Sequence, residues 1–94
     1  MTNDQTLKDA IEAWLQQYRH NEKFYEGKVI SLWEPIVGPM IAKETDHIFI
    51  KNKVMVVKLR SAALKFELEF AKKKLVKSIN KQAGREVITE ISFI

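Results

Sequence analysis

Apolar residues in the first stretch, TLKDAIEAWLQQYRH at 6–20, recur at Leu7, Ile11, Trp14, Leu15 and Tyr18. That spacing of three and four gathers them on one helical stripe. Thr6 followed by Asp9 resembles a capping box with the shorter acid. A second helix is expected from about Glu22 or Lys28 through Trp33, where Val29, Ile30 and Trp33 repeat at helical spacing. Pro35 removes a backbone donor and disfavours the α conformation at Glu34, so a kink or restart is predicted there. The segment PIVGPMIAKET then reads as a close-packed corner leading into a short helix from Pro39. At this corner Gly38 supplies either a positive φ or room for a neighbouring backbone.

Beyond the corner the period changes. HIFI at 47–50 and VMVVKL at 54–59 are rich in β-branched and aromatic residues and flank Lys51-Asn52-Lys53, with Asn52 suited to a left-handed turn. The pattern predicts a β-hairpin. Its second strand places Met55, Val57 and Leu59 on one face and Val54, Val56 and Lys58 on the other, with one side fully covered and the other only partly. Ser61 is placed to cap a long helix over 62–83 that stops at Gly84, and VITEISFI at 87–94 forms a last strand. The order is α-α-β-β-α-β, an α+β two-layer domain with a three-stranded sheet covered by helices. If the long helix is a crossover, the last strand can run parallel to the second hairpin strand.

On the long helix, at about 100° per residue, Leu64, Leu68, Ala71, Leu75 and Ile79 form the seam that packs on the sheet. Phe66 and Phe70 fall near the opposite side beside Lys73 and Lys77. A phenylalanine left in water forgoes about 1.5–3 kcal/mol of burial, so this pair needs a cover or a use. Two readings stand. Either the first helix packs over them with Trp14 and Tyr18, or they anchor a partner with the lysines as a charged rim.

Length and composition narrow the class. Ninety-four residues make one domain, 1–94, with a globular balance of 46% hydrophobic and 30% charged residues. With no cysteine, neither a disulfide framework nor a thiolate metal site is available, which fits a reducing compartment. The polar, acidic opening MTNDQTLKDA differs from a signal peptide, and no apolar run reaches the roughly 18 residues of a membrane span. The expectation is a soluble, cytoplasmic protein that engages no membrane.

The net charge of +4 is unevenly placed. Residues 35–60 carry five bases against two acids and residues 61–85 seven against two, whereas the segments on either side are acidic. Clustering of this kind suits a polyanion or an acidic protein surface. Bases late on the long helix also complement its dipole, but that does not account for those on the hairpin. The candidate nucleic-acid contacts are Lys51, Lys53, Arg60, Lys72, Lys73, Lys77, Lys81 and Arg85.

Little in the chain points to catalysis. His20 and His47 stand alone, without ligands at metal-binding spacing. Asp46 and His47 are strand neighbours expected on opposite faces. The serines lack a nucleophile motif, and Gly27, Gly38 and Gly84 are too scattered to cradle a phosphate. The expectation is a non-enzyme with no cofactor, metal or small-molecule substrate.

Trp33…Val37-Gly38…Ile41-Ala42…Thr45, the hairpin, Ser61…Leu64…Glu67-Leu68 and the closing Ile91-Ser92-Phe93 resemble the DciA-like family of bacterial replicative-helicase loaders. The likeness runs over roughly residues 7–94 and is nearer to the short single-domain members. It implies a KH-like α/β domain that associates with the replicative helicase and with DNA during replication. Longer members carry a flexible C-terminal tail, whereas this sequence ends at Ile94, one residue past its last strand motif. The GxxG clamp of true KH domains is missing, so a base-specific grip on four nucleotides is not implied. The expected function is therefore a replication accessory that binds nucleic-acid backbone, DNA or RNA, and associates with the helicase. The alternative is a protein-interaction module docking through Phe66 and Phe70 without nucleic acid.

Overall fold

The computed structural model describes residues 4–19 and 22–94, with the side chains of residues 4, 5 and 17–19 left out. The Tyr18 side chain and His20 thus lie outside the described residues. The elements are α1 (Asp4–Arg19), α2 (Glu22–Val37), α3 (Pro39–Lys43), β1 (Thr45–Lys51), β2 (Val54–Leu59), α4 (Ala62–Glu69), α5 (Lys72–Ala83) and β3 (Glu90–Phe93). This is the expected α+β order, with α3 as the corner helix and α4–α5 as two halves of the long helix. The sheet order is β1-β2-β3. β1 pairs antiparallel with β2, and β3 pairs parallel with β2, as a crossover allows.

The core lies between the helices and one sheet face. Met55, Val57 and Leu59 of β2 are buried with Ile91 and Phe93 of β3, under Val29 and Trp33 of α2 and Ile79 and Ala83 of α5. The other face of β2 stays half-open, as the alternation predicts.

The corner is held by a chain of hydrogen bonds. The Trp33 indole N–H donates to the Thr45 hydroxyl at 3.0 Å, which donates to the Ile41 carbonyl at 2.8 Å. Gly38 has φ +93°, and a Cβ there would meet nothing within 4 Å, so conformation rather than space calls for glycine. Pro39 opens α3 at its first turn. The Ser61 hydroxyl accepts the Leu64 N–H at 3.2 Å and caps α4, and Gly84 closes α5 in the left-handed region.

Four expectations are corrected. α2 continues past Trp33 and through Pro35 to Val37 without a restart: the ring removes a single donor, and the ladder resumes beyond it, with the Gly38 N–H bonding the Glu34 carbonyl at 2.8 Å. Thr6 lies inside α1 rather than capping it. The long helix is interrupted at Phe70–Ala71, whose N–H groups bond the Glu67 and Leu68 carbonyls three residues back before α5 restarts. The break lets α4 rest against β2 while α5 rests against α2 and β3. The last strand is shorter than 87–94, because Val87 and Ile88 bond a side chain of α5 instead of β2.

The α1 stripe does not cover the long helix. Leu7 and Trp14 are 59% and 62% exposed, and Phe66 and Phe70 are 67% and 79% exposed. Of the two sequence readings, the one that buries this pair under α1 does not hold. The molecule is elongated as a result, 67 × 21 × 20 Å.

Candidate nucleic-acid interface

α5 sets out a row of cations because its apolar positions are all committed elsewhere. Ile79 and Ala83 are buried, and Leu75 and Val76 are packed against the core. Lys73, Lys77 and Lys81 follow at intervals of four on the exposed side, with Lys74 beside them.

The hairpin turn reaches the same region. Asn52 and Lys53 both have positive φ, 52° and 63°, the conformation of a two-residue type I′ turn. The Lys53 carbonyl accepts the Thr89 N–H at 2.8 Å and its hydroxyl at 3.4 Å. Thr89 in turn lines two neighbouring grooves with Lys77 and Val76. One, of about 710 Å³, runs toward Phe70 and Lys73 past Glu90 and Ile91. The other, of about 590 Å³, runs toward Lys81 and Arg85 past Asn80 and Glu86.

Asn80 builds this junction. Its amide accepts the N–H groups of Val87 and Ile88 at 2.9 and 3.1 Å and donates to the Ile88 carbonyl at 2.8 Å. The chain before β3 is thus fastened to α5, and Thr89 is delivered to Lys53. Sequence reasoning missed Asn80, Thr89 and the groove-lining Lys74. Asn80 and Thr89 depend on register between distant segments and leave no local signal.

The eight candidate cations do not form one set. Lys72, Lys73, Lys77, Lys81 and Arg85 line the two grooves, and Lys53 reaches their shared wall through its backbone carbonyl, which bonds Thr89. Lys51 lies at the same end of the sheet on its open face, opposite Val54. Arg60 sits at the far end of β2, where it pairs with Asp46 at 2.6 Å and donates to the Lys43 carbonyl at 2.8 Å. Lys72 pairs with Glu69 at 2.9 Å and leans over the Phe93 ring at 5.8 Å. Arg85 stacks over Tyr25 at 4.6 Å. The grooves are lined by Lys72, Lys73, Lys74, Lys77, Lys81 and Arg85 against Glu69, Glu86 and Glu90, which leaves the junction net positive.

Phe66 and Phe70 meet edge to face at 5.3 Å and stand out from the α4–α5 break. Phe70 also closes the Lys73 end of the larger groove. At the other end of the molecule, β1 bulges between Thr45 and His47, so Asp46 turns to Arg60 rather than to His47. Among the described residues, no acidic or histidine cluster could hold a metal, and no helix is long and apolar enough to cross a membrane.

A two-layer α+β domain with a mixed three-stranded sheet, helices on one face and a basic helix–strand groove is the class that these features define. The sequence matches the family model described as "Dna[CI] antecedent, DciA" over residues 6–93, and the chain belongs to that family. DciA proteins are associated with DNA replication and helicase loading, as accessory proteins of the replicative helicase. No curated protein matches the chain. The residues that carried the resemblance are structural: Trp33 and Thr45 tie the corner, Ser61 caps α4, and Ile91 and Phe93 fill the core.

Proposed function

We propose that the protein is a non-enzymatic replication accessory that holds nucleic-acid backbone along the α5–β3 groove and associates with the replicative helicase. The observation that carries this reading is the row Lys73, Lys77 and Lys81, which the hairpin turn approaches beside Lys77 through the Lys53–Thr89 backbone bond, and which is matched by no carboxylate ion pair among the described residues. Cations on a rigid helix beside a groove are suited to phosphates, whose recognition is independent of sequence and weakens steeply with salt. Arg60 and Lys72 contribute least, since each already has a carboxylate partner. Reversing Lys73 and Lys77 to glutamate lowers affinity for labelled single-stranded DNA in an anisotropy titration. Unchanged binding at low salt would remove the assignment.

The exposed Phe66–Phe70 pair supports a second contact, to protein. An edge-to-face pair of this exposure is a ready anchor for an interface centre, with Lys73 and Lys74 as its polar rim. Capture of the helicase that survives loss of the lysines but fails with Phe66→Ala and Phe70→Ala marks an interaction module acting without nucleic acid. Capture that depends on both sets marks the combined role.

A further inference from the structure

The sheet face turned away from the helices carries a second surface. In register across the strands it presents Lys51, Val54 and Glu90 in one row, Phe49, Val56 and Ser92 in the next, and His47 with Lys58 in the third. Phe49 is 40% exposed, and its ring lies 5.7 Å from that of His47 at an interplanar angle of 39°. Its neighbours in the row are a half-buried valine and a serine, and the buried residues of β2 all lie on the other face. Two adjacent π-faces are therefore open to solvent on a rigid strand.

The three rows themselves carry two cations, Lys51 and Lys58, and one acid, Glu90. Lys51 and Lys58 flank the rings and take part in no ion pair among the described residues. Glu90 lies across the sheet in the Lys51 row, and at the His47 end Asp46 is held by Arg60 while Glu34 shares a cavity with Asp46 and His47. Lys51 leads directly into the turn whose Lys53 meets the α5 groove through Thr89. The turn thus connects this face with the wall of the α5 groove.

We infer that Phe49 and His47 form a base-stacking platform for single-stranded nucleic acid, flanked by Lys51 and Lys58. Aromatic side chains interleaved with cations bind unpaired bases of any sequence through their π-faces. A duplex, with its bases stacked inside, gains nothing from such a platform. The inference rests on the backbone reading above and adds the base to it.

The test compares oligo-dT with an abasic oligonucleotide of the same length and charge, using the full chain. Phe49→Ala is expected to lose about tenfold in affinity for oligo-dT, within the range of one stacked base, and to bind the abasic strand as the parent does. Phe49→Leu keeps the apolar contact with Val56 and shows the same loss, which separates stacking from folding. Phe49→Trp restores binding. Equal affinity of the parent for both strands, or equal loss on both in the variants, overturns the platform and leaves the backbone reading standing. Failure of the parent to bind either strand removes the backbone reading itself. Loss of helicase capture in Phe49→Ala, with oligo-dT binding intact, assigns the face to protein and also overturns the inference.

Discussion

Removing the Asn80 amide tests how the candidate groove is assembled. Three hydrogen bonds of 2.8–3.1 Å join this side chain to the backbone of Val87 and Ile88, both buried. At about 1 kcal/mol net per bond, Asn80→Ala costs about 3 kcal/mol, because the two N–H groups and the Ile88 carbonyl lose their partner. That is a large part of the roughly 5–15 kcal/mol by which a domain is stable. Asn80→Asp keeps both acceptor bonds but loses the donor and sets a carboxylate against the Ile88 carbonyl, so it costs about 1–2 kcal/mol. Urea unfolding followed by tryptophan fluorescence reads both. With a slope of about 2 kcal/mol/M, the alanine midpoint falls by about 1.5 M and the slope is unchanged. An alanine variant within about 0.5 kcal/mol of the parent, or an aspartate variant as unstable as alanine, would refute the clamp.

Other substitutions separate stability from binding. Lys53→Gly relieves a lysine at φ +63° and stabilises the hairpin by about 1 kcal/mol. The same change weakens single-strand affinity, so thermal melts and anisotropy move in opposite directions. Gly38→Ala, at φ +93° and ψ 164°, costs about 1–3 kcal/mol in the same urea assay although the space is open. Arg60→Ala leaves DNA affinity within twofold and stability within about 1 kcal/mol, since its ion pair is exposed.

The parts of the fold written in local chemistry were legible. Pro39 and Gly38 announced the corner, Asn52 the turn, Ser61 and Gly84 the helix ends, and the alternation of β2 its covered and open faces. The seam of Leu64, Leu68, Leu75 and Ile79 faces the core even though the helix breaks within it. The break itself has no glycine or proline to mark it. It comes from two helical segments following different partners, β2 and α2. The α1 stripe shows the limit of periodicity, which gathers apolar residues on one side without saying what that side meets.

For the candidate site, the charge excess marked two basic segments but not how their side chains are arranged. Lys77 and Lys81 share a groove with Thr89, a residue with no signal of its own, whereas Arg60 looked equivalent and is paired with Asp46 across a bulge. Spacing placed Phe66 and Phe70 together, and only packing left them outside.

The most direct measurement of the central claim is the salt dependence of oligonucleotide binding. Four lysines on the phosphate chain give a slope of log affinity against log salt of roughly −3, and Lys73→Glu with Lys77→Glu lowers its magnitude by about 1.4. A slope near zero in the parent, or one that the double variant leaves unchanged, would contradict the claim that α5 and the hairpin turn together hold the backbone.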